Sequence, residues 1–182
     1  EKRKKAVDRM PEFEQLRDQA RDIKNHVLAN LDLYLENYED RVEKHGGQVH
    51  WCRDAKAARE QIFKICKAAD AKTVTKSKSM IGEEIFINDF LAKNGIEPIE
   101  TDLGEYIIQL RGEPPSHIIA PAIHVSKAQV EDAFRRVHTD LPADRNLEDP
   151  AALLQEARGQ LRNKFLQADV GLTGANMLVA ET

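Results

Sequence analysis

The sequence predicts an α/β protein with a largely parallel sheet flanked by helices and preceded by a long N-terminal helix. Three observations predict it. From residue 47 onward, short apolar runs alternate with amphipathic runs, the pattern of strand–helix–strand crossovers. Before that point, apolar residues recur at spacings of three and four, which is a helical period. The 182 residues are 41% hydrophobic and 32% charged, enough for one domain with a real core.

Each element follows from its residues. Phe13, Leu16, Ala20, Ile23, Val27, Leu31, Tyr34, Tyr38 and Val42 predict one helix from Pro11 to Lys44, with Pro11 in its first turn and Gly46-Gly47 as its stop. Residues 1–46 therefore read as a helical region and 47–182 as the α/β domain. Val49 and Trp51 alternate with polar neighbours as in a strand. Ala58, Ile62, Ile65, Cys66 and Ala69 form a helical stripe behind Asp54. Thr73–Thr75 is a short strand, Glu83–Lys93 a helix ended by Gly95, and Ile96–Thr101 a strand. Asp102 and Glu105 have capping-box spacing before a run through Leu110, helical by its capping though its Tyr-Ile-Ile also suits a strand. Beyond Pro114-Pro115, His117–Ala120 reads as a strand. Ser126 and Gln129 form a second capping box, opening a helix through Val137, and residues 139–149 read as a polar loop. Pro150–Gln167 is a helix, and Asp169–Thr173 and Met177–Ala180 are strands separated by Gly174-Ala-Asn176.

The net charge of −4 gives no support to nucleic-acid binding, and the only basic block, Lys2–Lys5, reads as a solvated terminus. Cys52 and Cys66 fit no zinc or iron–sulfur spacing, and Cys66 lies on an apolar helical face as a core residue. No signal peptide or apolar run of membrane-spanning length is present, so a cytoplasmic protein without a transmembrane segment is expected. An initial Glu1 and a strand running into Glu181-Thr182 suggest a fragment of a longer protein. The exposed terminal strand, or the N-terminal helix, could then pair with a second copy.

Open parallel sheets bind ligands beyond the carboxyl ends of their strands. The candidate ligand-binding residues lie on such loops: Lys76, Ser77, Lys78 and Ser79; Thr101 and Asp102; His124; and Thr173 and Asn176. The 76–82 loop could hold an anion on a helix start with two lysines and two hydroxyls, or serve as a helix entry capped by Ser79. Lys76 and Lys78, two residues apart, are not expected to converge on one point. His124 has no visible partner, and Asp102 is already explained as a cap. The turn at 171–176 could admit a ligand to its backbone or simply connect two strands. No catalytic residue and no metal ligand set is defined by spacing.

Three segments, "VTKSKSM", "EPIETDLGEYIIQLRGEPPSHIIAPAIH" and "KFLQADVGLTGANMLVAET", resemble the lactate-utilisation iron–sulfur protein family, B component. The resemblance implies a lactate-utilisation (LUD) domain sharing the fold of glucosamine-phosphate deaminases, ribose-phosphate isomerases and CoA-transferases. It implies that the full-length protein carries two [4Fe–4S] clusters on a C-terminal ferredoxin-like module. It further implies that other lactate-utilisation subunits are its partners in oxidising L-lactate to pyruvate. No cofactor is expected in this chain, because Cys52 and Cys66 do not match the cluster ligands. Fold analogy leaves a phosphosugar- or CoA-ester-binding enzyme as one alternative, and the N-terminal helix leaves a protein-interaction module as another.

Overall fold

The structure is a computed structural model, and it describes residues 1–179. The chain forms two compact units, Glu1–Trp51 with the residues from Met177, and Cys52–Asn176.

The first unit holds three helices: α1 (Lys2–Asp8), α2 (Phe13–Ala29) and α3 (Leu31–Lys44). The basic terminal block is thus helical, with Lys5 paired to Glu1 one turn away. The expected single helix is broken at Asn30, whose backbone leaves the helical region at φ −130°, ψ 37°. Its side chain donates to the carbonyl of His26 (2.8 Å), competing with the helix ladder as asparagine does. Pro11 stands before α2 rather than in its first turn. The stop is as expected: Gly46 adopts φ +83°, and the amides of Gly46 and Gly47 reach back to Glu43 and Val42. Residues 49–51 form no strand, and the Trp51 indole donates to Glu39 (3.1 Å). None of α1, α2 or α3 contains a buried residue.

The second unit runs α4 (Ala55–Ala68), β1 (Thr73–Lys76), α5 (Met80–Glu84), α6 (Ile87–Lys93), β2 (Glu97–Glu100), α7 (Leu103–Arg111), α8 (Lys127–Val137), α9 (Pro150–Gln167) and β3 (Val170–Leu172). The sheet order is β2-β1-β3 and every pairing is parallel. Val74 stands opposite Pro98 on one side and Val170 on the other. Pro98 is tolerated because β2 is an edge strand, where a missing amide costs no ladder bond. The outer side of β2 is held by Gln109 of α7, which donates to the Pro98 carbonyl (2.7 Å) and accepts from the Glu100 amide (3.1 Å). The caps expected at Asp102 and Ser126 are present, and Asp54 and Asp149, not singled out as caps from sequence, serve in the same way, each side chain accepting backbone amides of its first turn. Only Ser126–Gln129 closes the reciprocal box.

Three expectations fail here. The predicted helix 83–93 is two helices, because Phe86 takes a left-handed conformation (φ 51°) between them. Arg59 of α4 donates to the Ile85 carbonyl freed at that break (2.8 Å). Residues 117–120 are not a strand: His117 Nδ1 accepts the amides of Ile119 and Ala120, curling the segment on itself between prolines. Met177–Val179 are irregular and exposed, while Ala180 and Glu181 lie outside the described residues.

Two apolar cores result. One packs Cys66 of α4 and Ile87 and Leu91 of α6 against Val74 and Ile96. The other joins Tyr106 and Ile107 of α7, Phe134 of α8, and Leu153 and Ala157 of α9.

Candidate functional site

The carboxyl ends of the strands gather the candidate loops at one edge. The Thr101 amide and hydroxyl both donate to the Lys76 carbonyl (3.0 Å each), so the chain leaving β2 crosses beside the end of β1. On the other side, the Ser77 amide donates to the Leu172 carbonyl and its hydroxyl to Thr173 (2.8 Å). Gly174 lies so close to Ser79 that a Cβ there would sit 3.0 Å from its Oγ. Ser79 caps α5 by accepting the Gly82 amide (3.1 Å).

Lys76 is 1% exposed and fully engaged. Its Nζ lies 2.6 Å from Glu83 Oε1 and 2.9 Å from Glu100 Oε1. Burial alone would depress its pKa, but the hydrogen bonds and charges of those two carboxylates outweigh burial and raise it. Lys78, half-buried, lies 3.6 Å from Glu105 and 3.8 Å from Asp102, and donates to the Ile119 carbonyl (3.3 Å). The two lysines share no carboxylate, Lys76 pairing with Glu83 and Glu100 and Lys78 lying nearest Glu105 and Asp102, although the charges of both bear on Glu105, as residues two apart on one face of an extended chain allow. Asn88 of α6 adds a donor to Glu100 Oε1 (2.6 Å).

This arrangement opens onto a cleft of about 590 Å³, walled by Phe86, Asn88, Glu100, Glu105 and Gln109 among others. A smaller hollow of about 170 Å³ lies beside it, between Met80, Glu83, Glu105 and the turn at 115–118. Glu83 and Glu105 border both. Three acceptor atoms buried in the cleft wall have no hydrogen-bond partner: Glu100 Oε2, Glu105 Oε2 and Asn88 Oδ1. Burial, then the charge of Glu100, raises the pKa of Glu105 against the opposing pull of Lys78 and Lys76. With Glu83, Glu100, Glu105 and Asp102 facing two lysines, the local balance is negative, and an anion held by those lysines would be repelled.

Of the sequence candidates, Lys76, Ser77, Lys78, Ser79, Thr101, Asp102 and Thr173 meet at this edge. His124 does not: its ring faces Ser116 Oγ (2.7 Å) and Glu113 (3.2 Å). Asn176 is exposed beyond the Gly174 turn. Sequence reasoning missed Glu83, Asn88, Glu100 and Glu105, which lie on helices or inside a strand rather than on loops. Glu100 carried a signal, being a carboxylate at the carboxyl end of a strand, the edge where open parallel sheets bind ligands.

A second polar network, also unforeseen, lies in the α7–α8–α9 core. The Tyr106 hydroxyl meets His138 Nε2 (2.9 Å), and His138 Nδ1 meets Glu156 (2.7 Å). Arg145 clamps the same carboxylate with two bonds (2.6 and 2.8 Å). Burial and the charges of Asp140 and Glu156 push the Tyr106 phenol up to about 12. Arg145 and His138 hold Glu156 below the usual carboxylate range, against its burial.

Among the described residues, no group of three or more His, Cys, Asp or Glu could hold a metal ion, and no helix is long and apolar enough to cross a membrane. The LUD domain family matches residues 35–182. The chain is 43% identical over 182 residues to a protein named lactate utilization protein B from Bacillus licheniformis, and 42% identical over 182 residues to one of that name from Bacillus subtilis. A third, from Bacillus thuringiensis, is 42% identical over 180 residues, 99% of this chain. The chain spans 37% of the length of each of these relatives. No solved structure matches it.

Proposed function

Because the chain belongs to the LUD domain family, we propose that it is the N-terminal, LUD-domain part of an iron–sulfur electron-transfer subunit acting in the oxidation of L-lactate to pyruvate. The observation that carries this reading is the similarity of the whole chain, at 42–43% identity, to proteins named lactate utilization protein B. Within it, the α/β unit is a binding or scaffolding domain and takes no redox step itself.

The residues present do not fit a cluster. A [4Fe–4S] cluster takes four thiolates. The chain has two cysteines, and Cys66 is 1% exposed inside the α4–α6 core. The two clusters of this proposal therefore belong to the full-length protein beyond this chain, and no electron path is drawn through it. Anaerobic purification of the full-length protein should give a brown sample whose visible absorbance disappears on chelation or oxidation. A colourless, iron-free preparation would refute the reading.

The proposed partners are other lactate-utilisation subunits in the cytoplasm. The exposed apolar residues of α2 and α3, including Leu28 and Leu31, favour that unit as the contact surface. Replacing Leu31 and Tyr34 by Asp should release co-purifying subunits while unit Cys52–Asn176 stays folded. Unchanged co-purification would remove this surface from the proposal.

A further inference from the structure

Glu100 and Glu105 are nine-tenths or more buried, yet each leaves one carboxylate oxygen unpartnered at the same cleft, and Asn88 adds an unpartnered amide oxygen. Buried acceptors without donors are costly, and native proteins rarely leave several together. The other atoms of these side chains are already fixed. Glu100 Oε1 receives Lys76 and Asn88, and Lys78 lies within 3.6 Å of Glu105. What is left over is acceptor capacity and negative charge. The terminal carboxylate torsion is soft, so Glu105 can turn its outer oxygen toward the cleft without moving α7.

We propose that the cleft binds a small organic cation carrying N–H donors, a primary ammonium or a guanidinium compound, on Glu105, Glu100 and Asn88. Three acceptors suit an ammonium with three donors, and paired carboxylate oxygens suit a guanidinium fork. The cleft volume of about 590 Å³ lies within the range of small-molecule sites. The apolar wall at Phe86, Ile108 and Pro114 suits the carbon part of such a ligand. An α-hydroxy acid anion is the wrong charge for this wall, so the ligand differs from lactate. This inference deepens the binding-domain reading and is independent of the clusters, since cation binding and cluster absorbance are measured separately.

The charged groups facing Glu105 are Glu100 from β2, Lys76 and Lys78 from the end of β1, Asp102 from its own cap, and Glu83 from α5 across the hollow. Its raised pKa means that protons compete with the cation, so affinity should rise with pH as Glu105 ionises.

The test is titration of the full chain with propylammonium, followed by backbone amide NMR, with tetramethylammonium and lactate as parallel arms at equal ionic strength. Saturable shifts at residues 82–89 and 100–113 with propylammonium alone are expected. Glu105→Gln should weaken binding at least tenfold, on the scale of a lost charged hydrogen bond of about 1.4 kcal/mol. Lys78→Ala, at a half-exposed position that should not disturb folding, should tighten binding by removing a competing cation. Equal shifts with tetramethylammonium, the same shifts with lactate, or no saturable response in the unaltered protein would each overturn the proposal.

Discussion

The molecule contains two buried polar networks that differ in one respect. The Tyr106–His138–Glu156–Arg145 network is closed: each group meets its neighbour, and both Glu156 oxygens are taken. The Lys76–Glu83–Glu100–Glu105 network at the sheet edge is open, with acceptor atoms left over at a cleft. A closed network fixes how α7, α8 and α9 pack. An open one keeps capacity that a ligand can use. Burial is similar in the two, so satisfaction of hydrogen bonds separates scaffold from site.

The comparison can be broken hardest at Lys76. Lys76→Met leaves Glu100 buried beside Glu105 with no cation in contact, and should cost about 3–5 kcal/mol in urea unfolding. A loss below about 1 kcal/mol would mean that the cluster is wet rather than buried. Tyr106→Phe takes one hydrogen-bonding hydroxyl from the closed network and strands His138 Nε2. It should cost about 1–3 kcal/mol by the same measurement. If Tyr106→Phe cost more than Lys76→Met, the ranking of the two networks would be reversed.

Their pH responses should have opposite signs. Glu156 has a lowered folded pKa, so its stabilisation is present above the unfolded value near 4.5 and is lost as pH falls through the folded one. Glu105 has a raised folded pKa, so its contribution is complete below 4.5 and is lost as pH rises through the folded value. Glu156→Gln should therefore flatten the acid side of the stability profile. Glu105→Gln should flatten the side above 4.5 and leave the protein more stable near neutrality. Unfolding midpoints of both variants across that range check the signs, and two profiles shifting in the same direction would contradict them.

The smallest effect concerns the cover over α7. A Cβ at Gly104 would lie 3.0 Å from Pro121 Cγ, so Gly104→Ala should displace the 116–121 turn while α7 persists. A destabilisation of about 1 kcal/mol, the low end of overpacking, is expected. An unaltered Pro121 environment by NMR would show that the contact yields freely.

Much of the fold was legible because the signals were local. The Asp102 and Ser126 caps, the Gly46 and Gly95 stops, and the strand–helix alternation each depend on a few neighbouring residues. The failures were positions where a side chain overrode the pattern, such as Asn30 breaking a continuous stripe and His117 curling an apolar run. The site was half legible. Loops at strand ends could be found by topology, and they gathered Lys76, Lys78, Thr101 and Thr173. The carboxylates that face the lysines come from α5, β2 and α7, and no spacing rule links Glu83, Glu100 and Glu105 before the sheet brings them together.

The parallel sheet also sets an order of assembly. β1 meets β2 after one short crossover, but β3 must return across most of the unit: Asp169 accepts the amides of Lys72 and Thr73 and the Thr73 hydroxyl, 96 residues away for the last. Long loop closures are slow and come after local contacts. The β1–β2 half should therefore form first on a growing chain, with the other side of β1 open until β3 arrives. Pulse-labelled hydrogen exchange during refolding would then protect the Thr101 amide, which β1 holds through the Lys76 carbonyl, before the Ser77 amide, which waits for Leu172. In that interval β1 is an unpaired edge, the stage at which the protein is most exposed to aggregation.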